Sequence, residues 1–128
     1  MKPWLSVLPV LFFLLMLGHA GGVAAAENKA VHTVAGILLK LNHYPSASEK
    51  ETLQKLVDAK ATSPQERVLV QALINVQHTA SATDKPKLHT LMQDESAPAS
   101  IRTLASVLYN LNHTASDADK EKLKRLVP

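Results

Sequence analysis

The chain has 128 residues, with 14 Lys and Arg against 11 Asp and Glu, six His and no Cys. That length suits one small domain, and the lack of thiols excludes disulfides, thiolate metal sites and a lipid anchor carried on Cys. Positive and negative side chains are interleaved, as in Lys120-Glu121-Lys122. They read as a solvated helix face rather than the one-signed patch of a nucleic-acid binder.

The first segment reads as a leader. Lys2 gives a short positive start, an apolar run from Leu5 to Leu17 is broken only by Ser6 and Pro9, and small residues follow from Gly18 to Ala26. This is the tripartite pattern of a secretory signal peptide. Ala24-Ala25-Ala26 fits the small-residue cleavage rule best, which predicts a signal peptide over residues 1–26 and a mature domain over 27–128. The apolar run is short for a bilayer span of about 20 residues, so membrane contact is expected only through an uncleaved leader. The expected location is periplasmic or secreted. Removing Lys2 takes the 14 basic side chains to 13, a net charge of +2 against 11 acidic ones. Trp4, Phe12 and Phe13 leave as well, so Tyr44 and Tyr109 are the mature aromatics, and an aliphatic core of modest stability is expected.

The mature part is written three times. Asn42-His43-Tyr44-Pro45-Ser46, Gln77-His78-Thr79-Ala80-Ser81 and Asn112-His113-Thr114-Ala115-Ser116 recur at 35-residue spacing, and Leu53, Leu88 and Leu123 keep the same register. Such a period marks a helical repeat array, with repeats over approximately 28–62, 63–97 and 98–128.

Each repeat reads as two helices. In helix A, Val34, Ile37, Leu38 and Leu41 follow the i, i+3, i+4, i+7 template. Leu69, Ala72, Leu73 and Val76 repeat it, and then Leu104, Val107, Leu108 and Leu111. A second apolar stripe runs beside it through Ala35 and Leu39, Val70 and Ile74, Ala105 and Tyr109. A helix packed only on its partner needs one stripe, whereas one packed on neighbouring repeats needs a wider one. Start signals for helix A are expected at Asn28, at Ser63-Pro64-Gln65-Glu66 and at Ser96-Ala97-Pro98.

Helix B follows the recurring loop. Ser46, Ser81 and Ser116 each precede a carboxylate by three positions, at Glu49, Asp84 and Asp119, which is capping-box spacing. Pro86 cannot sit deep in a helix, so the second helix B is expected to start near Thr83. The predicted fold is all-α: a short, right-handed, solenoid-like stack of three αα-hairpins of 35 residues, with thinly protected ends. The period is close to the 34 residues of tetratricopeptide repeats. The Trp, Leu-Gly, Tyr and Phe signature of that family is absent here, which leaves a generic αα array.

His43, His78 and His113 have two readings. As metal ligands they suit zinc, copper or nickel. In a linear stack, however, successive repeats lie about 8–10 Å apart, so three rings in a row are not expected to meet. The structural reading, preferred on that ground, has each His close helix A against its free carbonyls and bond to the Ser that opens helix B. His89 and His32 read as surface residues. Ser, His and Asp do cluster at His113 to Asp117, but a capping turn uses the same residue types, so no enzyme activity is expected.

The functional expectation is an exported, non-catalytic module without a cofactor that binds an unidentified protein or peptide. Solenoids present such surfaces from their non-repeating positions, here Gln71, Asn75, Ser106 and Asn110, with Tyr44 and Tyr109 as aromatic anchors. The alternative is a soluble metal-binding protein using His43, His78 and His113.

Overall fold

The computed structural model describes residues 20–128, with side chains from residue 29. The leader expected over residues 1–26 lies outside the described residues up to residue 19. Its last residues belong to the backbone of the first helix. Among the described residues the chain is all-helical, with six helices and no strand: α1 Ala20–Lys40, α2 Ala47–Asp58, α3 Pro64–Ile74, α4 Lys85–Gln93, α5 Ala99–Tyr109 and α6 Asp117–Lys124. No described helix is long and apolar enough to cross a membrane.

The helices form where the apolar spacing places them. All twelve positions of the first helix-A stripe are buried, from Val34 to Leu41, Leu69 to Val76 and Leu104 to Leu111. Ala35, Val70 and Ala105 of the second stripe are also buried, while Leu39, Ile74 and Tyr109 pack partly buried against the same core. Leu53, Leu88 and Leu123 carry the narrow seam of α2, α4 and α6, and all three are fully buried. Burying each such Leu is worth about 1.5–3 kcal/mol.

Side-chain capping marks the start of three of the six helices. The Ser46 and Ser63 side chains accept from the Glu49 and Glu66 amides, and the two glutamates return a bond to the serine amides, so α2 and α3 open on complete capping boxes. Ser116 accepts from the Asp119 amide at the start of α6. In the second copy the Ser81 hydroxyl accepts from the Asp84 amide, but regular helix begins only at Lys85, with Pro86 in its first turn. Two expected start signals fail. The Asn28 position lies inside α1 rather than at its start. Before α5 no side chain caps the helix, because the Ser96 hydroxyl and amide both donate to Asp94.

The contacts between helices are cyclic. Each B helix packs chiefly on the A helix of the following repeat, α2 on α3 and α4 on α5, more than on its own hairpin partner, and α6 returns to pack in the same way on α1. The three A helices, α1, α3 and α5, each touch the other two. A linear stack would keep α1 and α5 apart and leave α6 at a free end. Instead α6 covers α1, so the thin terminal seam expected of the third copy is buried. The wide apolar stripes of α1, α3 and α5 meet one another and are flanked by α2, α4 and α6, which buries both sides of each of these three helices.

Candidate metal centre

The recurring loop makes a sharp reversal immediately after each A helix. In all three copies the amide two residues on donates back across the His, Tyr44 to the Asn42 carbonyl at 3.0 Å, Thr79 to Gln77 at 2.7 Å and Thr114 to Asn112 at 2.7 Å. The central residues have φ of 74° at His43 and 66° at both His78 and His113. An i→i+2 bond around a residue with φ near +75° is the strained form of γ-turn. Holding a non-glycine residue there costs about 1–3 kcal/mol each, and the chain does so three times.

Bonds between the turns hold them in place. The His43 amide donates to the His113 carbonyl at 2.9 Å, His78 to His43 at 2.7 Å and His113 to His78 at 2.6 Å. Each His is therefore at once donor and acceptor in a closed backbone triangle. A γ-turn points the amide and carbonyl of its central residue outward, which frees both groups for the neighbouring turns.

The same triangle gathers the side chains. The imidazole centroids of His43 and His78 lie 4.8 Å apart, those of His78 and His113 4.8 Å, and those of His43 and His113 5.1 Å, all edge-on. One ring nitrogen from each lies within 4.8 Å of the others. Nδ1 of His43 is 3.0 Å from Nδ1 of His78. This corrects the expectation that the three rings could not meet. That expectation assumed a row, and in a ring the equivalent positions converge. The rings do not reach the helix-opening serines either, whose hydroxyls are occupied as caps.

Local chemistry suits a cation. His43 is half-buried and His78 and His113 are exposed, so the cluster opens to solvent on one side. The C-terminal ends of α1, α3 and α5 fall just before the three turns, and each brings roughly half a negative charge at its last carbonyls. Asn112 Oδ1 lies 2.7 Å from His113 Nδ1. Accepting the proton there leaves Nε2 of that ring as the free lone pair, the role an orienting neighbour plays beside a metal-binding His. Beside His78, a recess of about 340 Å³ is lined by Tyr44, Lys50 and Gln77.

Three of the expected partner-binding residues line separate grooves. Gln71 lines a groove with Val57 and Lys87, and Ser106 lines another with Met92 and Lys122. Tyr109 faces a third, with its ring 5.8 Å from that of His89 and 5.7 Å from Lys85 Nζ. His89, read as a surface residue, is exposed, with its ring beside that of Tyr109. Asn75 donates to Asp84 and Asn110 to the Ser106 carbonyl, so both amides are engaged within the chain. Tyr44, 58% exposed, stands apart from these and borders the histidines.

Sequence reasoning singled out the histidines but missed the γ-turn triangle and the part played by Asn112. Comparison of the chain with protein-family models, with curated proteins and with solved structures finds no match.

Proposed function

We propose that this protein binds a single divalent transition-metal ion through His43, His78 and His113, as a small exported metal-binding protein built from three 35-residue helical repeats closed into a ring. One observation carries the reading: three imidazoles from three distant loops, each held on a strained turn, bring their nitrogens within 4.8 Å of one another. Metal–nitrogen bonds of about 2.0–2.1 Å put ligand nitrogens roughly 3.0–3.4 Å apart. The His43–His78 pair is already at 3.0 Å, and side-chain rotation of His113 would bring in the third.

The ligand set points to the class of ion. Three neutral imidazoles with no thiolate or carboxylate in the cluster suit zinc, copper or nickel and not magnesium or calcium. Three ligands on an open face leave coordination positions for water or a delivering molecule, as an exchangeable site requires and a closed structural site does not. The proposal is of binding rather than catalysis. Export through the leader, to the periplasm or outside the cell, belongs to the same reading.

Titration of the metal-free protein with zinc, copper(II) or nickel, followed by calorimetry and by imidazole NMR signals, tests it. One ion per chain is expected, with shifts confined to the three histidines and their turns. Stoichiometry above one without saturation, or affinity unchanged in His78→Ala, overturns the proposal. The interaction-module reading keeps one support, the exposed ring of Tyr44 beside the cluster, which a metal-delivering or metal-receiving protein could contact.

A further inference from the structure

The 35-residue register relates two grooves on the flank of the ring, and their differences identify a second site. The first is lined by Val57, Arg67, Val68, Gln71, Asp84 and Lys87, the second by Met92, Ala99, Arg102, Thr103, Ser106 and Lys122. Val57 corresponds to Met92, Arg67 to Arg102, Val68 to Thr103, Gln71 to Ser106 and Lys87 to Lys122. Both grooves thus place an arginine on an A helix opposite a lysine on the next B helix.

In the first groove the positive charge is satisfied from within. Arg67 donates through Nε to the Val57 carbonyl at 3.1 Å and through a terminal nitrogen to the Ala59 carbonyl at 2.8 Å, both at the C-terminal end of α2. The groove also has its own carboxylate, Asp84, in its wall. In the second groove the arrangement is opened up. Arg102 Nε is buried with no hydrogen-bond partner, an arrangement that leaves the desolvation of a charged donor uncompensated. No carboxylate lines the wall. Valine and glutamine are replaced by two hydroxyl residues, Thr103 and Ser106. The Ser106 oxygen lies 3.5 Å from the Asn110 amide nitrogen as its acceptor, which leaves the serine proton free to donate. Asp119, the counterpart of Asp84 in the 35-residue register, lies outside this wall with its side chain largely shielded and pairs with Lys122 Nζ at 3.5 Å.

We propose that the groove of about 340 Å³ between α5 and α6 binds a phosphate-type oxyanion, with the Arg102 guanidinium and Lys122 ammonium supplying charge and the Thr103 and Ser106 hydroxyls donating to its oxygens. Guanidinium groups suit phosphate oxygens through paired, charge-assisted bonds, and the orphaned Nε gains the acceptor that Arg67 finds in its own backbone. The site is separate from the histidine cluster and stands whether or not that cluster holds metal.

The test uses isotopically labelled, metal-free full chain titrated with inorganic phosphate at constant ionic strength. Saturable amide shifts are expected at Arg102, Thr103 and Ser106, together with a shift of the Arg102 Nε–H signal. Arg102→Gln should weaken binding at least tenfold, and Arg67→Gln should leave it unchanged. The pair Thr103→Val with Ser106→Ala removes the hydroxyls but keeps the guanidinium. It should also weaken binding, which covers the case in which Arg102→Gln does not fold. A parallel arm with vesicles of phosphatidylglycerol in phosphatidylcholine distinguishes free phosphate from a lipid headgroup. Binding of either that depends on Arg102 supports the site and names its source. Shifts spread evenly over the surface lysines, shifts centred on the three histidines, or affinity equal in Arg102→Gln and the unaltered chain overturn it.

Discussion

His43 and His78 are 35 residues apart in the chain, yet the carbonyl of the first accepts the amide of the second at 2.7 Å while their Nδ1 atoms lie 3.0 Å apart. Backbone and side chain meet at the same place, so the bond that joins two repeats also positions two imidazoles. The strain of the turns and the convergence of the rings are one arrangement.

This separates the two roles that a histidine plays here. Glycine adopts positive φ without penalty, so His78→Gly keeps the turn and the triangle while deleting the ring. The expected result is a melting temperature equal to or above that of the unaltered chain, with metal affinity reduced by at least ~100-fold, more than loss of an orienting neighbour costs. His78→Ala should show the same loss of affinity without the thermal gain. Calorimetry on both variants checks the comparison, and a lower melting temperature for the glycine variant would mean that the imidazole itself holds the loop.

Closure of the ring predicts that the last helix matters as much as the others. Leu123 on α6 is as fully buried as Leu88 on α4. Leu123→Ala should therefore destabilise by about 2–5 kcal/mol, in the same range as Leu88→Ala. In a linear array the terminal seam would be half-solvated and the change far smaller. Urea denaturation of the two variants measures the difference.

Metal binding should weaken on acidification, because protons and the ion compete for the same imidazole lone pairs. Titrations in buffers of different ionisation enthalpy should show protons released on binding. Binding that is indifferent to pH would place the ion elsewhere.

Asp94 offers a separate check of the loop before α5. The Ser96 hydroxyl and amide, with Gln65, donate to its carboxylate and hold its pKa below the usual 3.8. A depressed carboxylate stabilises the folded chain above its ordinary pKa and loses that contribution as pH falls through the folded value, so the window lies below pH 3.8. Carboxyl NMR titration should give a midpoint under 3.8 that rises in Ser96→Ala.

The capping box of α3 predicts that Ser63→Ala costs about 1 kcal/mol. The change also strips the Glu66 amide of its acceptor, and that glutamate is buried where the neighbouring repeats have Val31 and Ile101.

Much of this was legible in the sequence. The helix-A stripes follow from apolar spacing, because burial of one face is what makes such a helix stable, and the serine caps follow from residue type and offset. The turn was hidden because its positive φ falls on histidine, whereas glycine or asparagine is the usual marker. Row and ring share the same period, so the repeat alone could not choose between them. The sequence did hold one clue. Leu123 in the last described helix and Leu126 just beyond it keep the apolar seam, where an open array would end in a polar cap. Asn112 was hidden too, because its role depends on where the His113 ring points.

The triangle at the loops has a consequence for the number of copies. An extended array can gain or lose a unit and remain sound, since each added unit meets one neighbour at a time. Here every histidine gives one bond forward and takes one from behind, so a further unit cannot be inserted without opening the circuit. Duplication within this gene would therefore be expected to break the triangle rather than extend it.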